Sequence, residues 1–290
     1  MIQIDYEPGS VDPARVFRAM AQLIDTLHAI DRDIVGTLGL ELEPIVVLER
    51  VEAGSIRAFL RTIISAAHDD ALLKLEWRPL IGQYLVRAKH KALRWLDDKT
   101  TIDSRADLTQ LQEIIVAEAP ELPSSGLALP AAIPPARLLE DVQALSTALE
   151  QLAPGDAVTY TANGASTPVS TGIHISSERI EELLTQATQR SETEMVLLVK
   201  KPDYLGRSRW EFKQEDHLIE ASIADADWLA RFRDGSILLK PGYALHALVL
   251  SEVSLGFEGQ VVSTRHRITK VLGVIAGEQA DQSDFFDDEV

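Results

Sequence analysis

The chain of 290 residues has a hydrophobic fraction of 46%, a charged fraction of 25% and a formal net charge of -17. This composition is that of a globular protein with room for two ordinary domains, and it excludes collagen-like and broadly disordered chains. The absence of cysteine excludes disulfides, thiolate zinc sites and cysteine nucleophiles, and the acidic balance argues against general affinity for nucleic acid, whose phosphates attract basic surfaces.

An N-terminal α+β domain is predicted over residues 1–119. Its strands alternate apolar and polar residues, and its helices repeat apolar residues at three- and four-residue steps. Asp12 and Pro13 supply the cap and the first-turn proline of the longest helix. The predicted elements are, in chain order, a strand at 2–7, a helix ending at Gly36, strands at 45–51 and 56–63, and helices at 78–96 and 105–119.

The short segment 52–55, Glu-Ala-Gly-Ser, joins the second and third of these strands. A strand rather than a helix follows Gly54, so no helix N-terminus is available to hold a phosphate, and neither the P-loop nor the dinucleotide-binding glycine pattern occurs. We interpret Gly54 as the turn of a β-hairpin, where glycine tolerates positive φ. One face of the second hairpin strand then carries Arg57, Phe59 and Arg61, which are candidate contacts for a partner or for nucleic acid.

A proline-rich segment at 120–135 holds five of the thirteen prolines and predicts a linker. We expect a β-rich domain at 136–277 and an acidic tail at 278–290. Short strands separated by turn signals, with two inserted helices, are typical of a small β-barrel-like fold, so the predicted class of the whole chain is α+β. After a helix at 136–152, the predicted strands lie at 157–162, 169–175, 195–201, 208–214, 217–223, 236–240, 243–253 and 261–275, and the inserted helices at 177–189 and 225–235.

Catalytic and metal-binding signatures are absent from the sequence. The nucleophile pattern G-x-S-x-G does not occur, and the seven histidines form no helical metal-binding pair. His68-Asp69-Asp70 is the one tight cluster of histidine and carboxylates, and we interpret it as a polar loop. No catalytic residue, metal ligand or cofactor is predicted, although separated serine, histidine and aspartate residues could still meet in the fold.

A basic segment stands against the acidic background. Arg87, Lys89, Lys91 and Arg94 lie on a predicted helix, with aromatic residues nearby. They could follow a phosphate backbone or contact a partner. The spacing favours a simpler interpretation, in which they cover the outer face of an amphipathic helix and pair with acidic neighbours.

The acidic tail contains Phe285, Phe286, Asp287 and Asp288. In composition it resembles the short acidic and aromatic tips by which single-stranded-DNA-binding proteins recruit partners, where aromatic rings enter a pocket with a basic rim. The alternative is a disordered tail that contributes only solubility.

Targeting and membrane signals are not found. No basic segment is followed by an apolar core, and no run approaches the roughly 20 apolar residues that span a bilayer. We therefore expect a soluble, cytoplasmic protein without membrane contact.

The order of a strand, a long helix and a hairpin with the sequence 52-EAGSI-56, followed by a β-rich half containing 217-HLIEASIADADWLARF-232, resembles uncharacterised bacterial proteins of mobile elements and antiphage defence islands. This resemblance implies an accessory or sensing component and transfers no catalytic residue. The favoured hypothesis is a non-catalytic subunit of a bacterial multi-protein assembly in antiphage defence, with other proteins or a second copy as partners. The alternatives are a nucleic-acid-associated accessory protein that uses the basic 87–94 helix, and a cryptic hydrolase or nuclease.

Overall fold

The computed structural model describes residues 1–6, 12, 14–39, 42–52, 56–66, 78–120, 130–203 and 209–277. The chain divides into two compact units, Met1–Leu183 and Leu184–Val290. Six helices and ten strands lie within the described residues, and the strands form two separate sheets. The predicted α+β class is therefore confirmed.

The elements of the first unit include a five-stranded sheet and five helices, the last of which ends at the division between the units. They are β1 (Ile2–Asp5), α1 (Ala14–Gly36), β2 (Leu42–Glu52), β3 (Ile56–Ala66), α2 (Arg78–Asp97), α3 (Arg105–Val116), α4 (Pro135–Leu149), β4 (Ala157–Ala162), β5 (Ala165–Val169) and α5 (Ser177–Leu184). Those of the second unit are β6 (Thr185–Lys201), β7 (Trp210–Gln214), β8 (His217–Ile223), α6 (Ala226–Arg233), β9 (Ala244–Gly256) and β10 (Val261–Ile275).

The short strand β1 is the centre of the first sheet, whose order is β2-β3-β1-β4-β5. It pairs antiparallel with β3 on one side and with β4 on the other, so that Ile2 lies opposite both Ala58 and Tyr160. Ile2 and Ile4 are fully buried. Strands β4 and β5, which the sequence analysis assigned to a separate domain after the proline-rich segment, are thus part of the first sheet.

Helix packing completes the core of the first unit. Helix α1 contacts α4 and α2, and α2 contacts α3 and β5. The apolar stripe of α1 includes Leu23 and Ile34, both almost fully buried, as expected from the spacing of its apolar residues. Burial of each such side chain contributes about 1.5–3 kcal/mol relative to exposure.

The second unit is built on a closed ring of five strands in the order β10-β8-β7-β6-β9. The pairing of β8 with β10 is parallel, and the other four pairings are antiparallel. Helix α6 adds Trp228 and Phe232 to a core that also contains Trp210 and Phe212. The ring centroids of Trp210 and Phe232 are 5.0 Å apart, and those of Trp228 and Phe232 are 5.5 Å apart. All four aromatic side chains are buried.

Three predicted elements differ from the structure. The helix expected at 177–189 ends at Leu184, because the residues from Thr185 onward pair with β9 as the first half of the long strand β6. Long-range pairing therefore overrides the local helical pattern. The strand expected at 169–175 is wrong, because β5 lies earlier in the chain, at Ala165–Val169, and shares only Val169 with it; no strand forms at the expected 236–240.

Asp225 offers a test of how the second unit is stabilised. Its Oδ1 accepts a hydrogen bond of 3.0 Å from the backbone N–H of Trp228, which caps α6, and its Oδ2 accepts one of 3.1 Å from the N–H of Val271 on β10. We expect Asp225→Ala to lower the free energy of unfolding by about 1–3 kcal/mol, because two backbone donors lose their acceptor. Chemical denaturation, monitored by hydrogen exchange of the backbone amides in the five-stranded ring, measures this loss. Asp227→Ala, an exposed residue of the same helix, is the control, and equal effects of the two variants would contradict the prediction.

Candidate functional site

The hairpin formed by β2 and β3 carries the first set of predicted contact residues. The strands pair antiparallel as far as Glu52 opposite Arg57, while the turn at 53–55, including Gly54, lies outside the described residues. The face that carries Arg57, Phe59 and Arg61 is the outer face of this hairpin, turned away from α1 and α2, and its cations lie beside carboxylates. Arg61 Nε lies 3.0 Å from Glu49 Oε1 and Arg57 Nη1 lies 3.8 Å from Glu52 Oε2, while the guanidinium of Arg50 lies 3.9 Å from the Phe59 ring centroid.

The basic helix is divided between surface and interior. Arg87, Lys91 and Arg94 are exposed on α2, and Arg87 Nε lies 3.4 Å from Glu118 Oε2. Lys89 is buried instead, so the four cations do not form one surface. The tail residues Phe285, Phe286, Asp287 and Asp288, and the cluster His68-Asp69-Asp70, lie outside the described residues. Within the part of the chain that the structure describes, no group of three or more histidine and carboxylate side chains is placed to hold a metal ion.

A cavity of ≈ 500 Å³ lies under the inner face of the β2–β3 hairpin. Helices α1 and α2, strand β4 and residues 1–2 complete its wall. Its apolar side chains include Ile24, Leu27, Leu60, Ile64 and Val86. The alternation of β3 explains the arrangement, because Leu60, Thr62 and Ile64 face the cavity while Arg57, Phe59 and Arg61 face outward.

The polar floor of this cavity is an ion pair between α1 and α2. Lys89 Nζ lies 2.6 Å from Asp31 Oδ1, and the two side chains are only 7% and 2% exposed. Thr62 Oγ1 donates a hydrogen bond of 3.2 Å to Asp31 Oδ2, and Lys89 Nζ lies 5.3 Å from the ring centroid of Tyr160. Asp31 Oδ1 is buried and lies at hydrogen-bond distance from the ammonium group of Lys89.

Electrostatic interactions on the cavity floor keep Lys89 protonated although it is buried. Burial is the largest single influence and would lower the pKa of Lys89, but the charge interactions and hydrogen bonds of Asp31 and Tyr160 together outweigh it and raise this pKa above its ordinary value. Burial raises the pKa of Tyr160, so its phenol stays protonated at neutral pH. Lys89 and Asp31 therefore form a compensated pair beside a neutral hydroxyl group.

His90 follows Lys89 on α2 and has a structural role. Its Nδ1 lies 2.8 Å from Thr167 Oγ1 and its Nε2 lies 3.3 Å from the carbonyl oxygen of Ala162, so Nε2 donates and Nδ1 accepts. Burial lowers its pKa and favours the neutral ring. Since both ring nitrogens are occupied, His90 is not available as a general base.

A serine–histidine contact in the second unit bears on the hydrolase alternative. Ser251 Oγ on β9 lies 2.9 Å from His266 Nδ1 on β10, and burial lowers the pKa of His266. Among the described residues, no carboxylate hydrogen-bonds to the His266 ring. A serine nucleophile needs a histidine base oriented by a third group, so this pair lacks one part of a triad.

A carboxyl pair joins α1 to α4 on another side of the first unit. Asp141 is buried, and burial, followed by the negative charge of Asp33, raises its pKa to about 8. Glu140 adds to the shift, while Arg137 opposes it. Asp141 is therefore protonated at neutral pH.

Of the residues on the cavity floor, the sequence singled out Lys89 alone, and as a surface contact of the basic helix rather than as part of a buried ion pair. Asp31 follows Leu27 by four residues and precedes Ile34 by three, so it lies in the apolar stripe of α1, and a charged residue in such a stripe is a usable signal. Lys89 gives a weaker signal, because it stands among other basic residues. Thr62 and Tyr160 give none, since only the pairing of β3, β1 and β4 brings them near α2.

Comparisons with known protein families, with curated proteins and with solved structures find no match for this chain. No helix among the described residues is both long enough and apolar enough to cross a membrane. The site is accordingly interpreted from its own geometry.

The ion pair on the cavity floor predicts a non-additive response to substitution. Lys89→Met alone leaves Asp31 as an uncompensated buried charge and should lower the free energy of unfolding of the first unit by about 3–5 kcal/mol. The double variant Asp31→Leu/Lys89→Met removes both charges and should recover most of this loss. A double-mutant cycle by urea denaturation measures the coupling, and simply additive losses would show that the pair is not compensated as described.

Asp141 predicts a pH dependence of stability. Its pKa is raised in the folded protein, so its contribution is complete below the ordinary aspartate pKa and is lost as pH rises towards about 8. Over this window the wild type should lose at most about 1.4 kcal/mol per pH unit relative to Asp141→Asn. Urea denaturation of both proteins at several pH values tests this, and parallel curves would contradict it.

Proposed function

We propose that this protein is a non-catalytic subunit of a bacterial multi-protein assembly and that it contacts a protein partner through the outer face of the β2–β3 hairpin. The observation that carries the proposal is an exposed apolar strip on that face. Ile45 and Ile63 lie opposite each other across the two strands and are 43% and 40% exposed. Val47 and Phe59 extend the strip along the hairpin.

The surroundings of the strip resemble the rim of a protein interface. Arg61, which lies opposite Val47 and close to Glu49, and the pair of Arg57 with Glu52 place charged groups next to the apolar residues. Protein interfaces commonly have such an apolar centre and a polar, solvent-accessible rim. Exposed apolar side chains also lie elsewhere on the chain, but here Ile45 and Ile63 are adjacent across two strands and Val47 follows two residues along β2.

Charge favours a protein over a nucleic acid as the partner. The outer-face arginines already lie beside carboxylates, and Lys89 of the basic helix is buried. The surface of the basic helix is therefore reduced to Arg87, Lys91 and Arg94, on a chain with a net charge of -17. The nucleic-acid alternative therefore has weaker support than a protein interface.

The biological setting of the proposal comes from the sequence resemblance. It implies an accessory or sensing component, and on this basis we place the proposed subunit in an assembly encoded with mobile elements and acting in antiphage defence, with another protein subunit on the hairpin. A second copy of this chain is an outcome that the test below distinguishes.

The hairpin strip is tested by charge insertion. We expect Ile45→Asp and Ile63→Asp to reduce co-purification and cross-linking of the partner in a bacterial host by about tenfold or more, because a carboxylate would be buried in the interface. Leu218→Asp, at a position 64% exposed in the second unit, is the matched control. Light scattering of the purified protein separates a second copy from another subunit. A partner retained equally by all three variants would refute the assignment to this face.

A further inference from the structure

The first half of β6 has an edge with which no described strand pairs. On one side, β6 pairs with β9 from Thr185 to Leu198, whereas its pairing with β7 on the other side begins only at Leu198. Residues 186–194 are all exposed. Within the described part of the chain, this segment therefore continues the sheet beyond the ring with its outer edge open.

The open edge is long and regular. Its segment 186–194, Gln-Ala-Thr-Gln-Arg-Ser-Glu-Thr-Glu, contains no proline, glycine or lysine. Its register with β9 is continuous from Ala187 to Glu194. Proteins usually protect an exposed edge with a short strand, proline, lysine or a bulge. Another strand can add along this edge through backbone hydrogen bonds.

Backbone geometry identifies the residues that offer these hydrogen bonds. Val199 follows the pair of Leu198 with Ala244, and its N–H donates a hydrogen bond of 2.9 Å to the carbonyl oxygen of Tyr243. The direction of the backbone groups alternates along an antiparallel strand. Odd-numbered residues of β6 therefore direct their backbone groups to β9, and the even-numbered residues of 188–194 direct theirs outward.

The charges at this edge are self-complementary. Arg190 and Glu192 flank Ser191 and lie on the same face of the sheet. When a second copy adds antiparallel with Ser191 opposite Ser191, each Arg190 lies opposite a Glu192, and two ion pairs form. The two neighbouring registers that keep the hydrogen bonds place Arg190 opposite Arg190 or Glu192 opposite Glu192, which is repulsive.

Both charged side chains are available at the edge. Arg190 Nε lies 2.6 Å from Glu252 Oε1 on β9, while 69% of the arginine side chain is exposed. Glu192 Oε1 accepts a hydrogen bond of 2.6 Å from Thr269 Oγ1 on β10. A guanidinium has five donors and a carboxylate accepts several hydrogen bonds, so both groups keep capacity for a partner.

We propose that two copies of this chain dimerise by antiparallel pairing of residues 186–194 of β6, with Ser191 on the two-fold axis. The pairing joins the sheets of two second units into one. An unrelated strand would gain the backbone hydrogen bonds but not both ion pairs, and for this reason a second copy is the partner that the edge fits best.

A single thiol tests the register. The chain has no cysteine, so Ser191→Cys introduces the only one. Across the axis, Ser191 forms a non-hydrogen-bonded pair, in which Cα atoms are about 4.5 Å apart, and a disulfide needs about 4.4–6.8 Å. We expect mild oxidation to convert most of this variant into a disulfide-linked dimer of twice the chain mass of 31.9 kDa on non-reducing gels.

Thr193→Cys is the matched control for the thiol. It lies on the same face of the same strand, but in this register the two Thr193 positions are about 13 Å apart along the strands. It should remain monomeric on the same gels. Equal dimer yields from the two cysteine variants, or no dimer from Ser191→Cys, overturn the proposal.

Charge reversal tests the two ion pairs. We expect the wild type to dimerise with a dissociation constant of about 10 μM or less in sedimentation equilibrium of the full chain. Arg190→Glu and Glu192→Arg should each weaken dimerisation by about tenfold or more, because like charges then face each other. An equimolar mixture of the two variants should dimerise like the wild type, because every carboxylate then faces a guanidinium.

A variant of the first unit separates this interface from the hairpin strip. Ile45→Asp should dimerise like the wild type, because it leaves β6 unchanged. A wild type that stays at 31.9 kDa at about 100 μM overturns the proposal, as does a mixture of the two charge variants that is no more dimeric than its components.

Discussion

The first unit depends on the antiparallel pairing of one four-residue strand with two hairpins. Strand β1 lies between β3 and β4, and so joins residues near the start of the chain to others more than 150 positions away. Because Ile2 and Ile4 are fully buried, the same strand also contributes to the core. Without this pairing, Tyr160 would not come near Lys89, and the cavity would lose one of its walls.

The buried pair of Asp31 and Lys89 is costly for a purely structural element. Removing two charges from water costs several kcal/mol per ion in proteins, and an apolar pair of similar volume often gives equal or greater stability. The pair also borders a large cavity rather than a close-packed core.

The β2–β3 hairpin has two chemically different faces, which are formed by alternating residues of the same strands. Alternation along β3 sends Thr62 to the cavity and Arg61 and Ile63 to the outer face. A shift of one residue in the pairing would exchange these surfaces. The pairing of β3 with β1, which starts at Ile56, fixes the register at one end of the hairpin.

The sequence by itself determined the elements whose cause is local. Apolar spacing gave the long helix α1, the hairpin strands and the basic helix, since each pattern requires only neighbours within one or two turns. Tertiary structure decided what depends on distant partners: β4 and β5 joined the first sheet, residues after Leu184 became a strand, and Lys89 turned inward to Asp31. Pairing across many residues releases more free energy than local propensity, and no local pattern records which distant strand or carboxylate will be the partner.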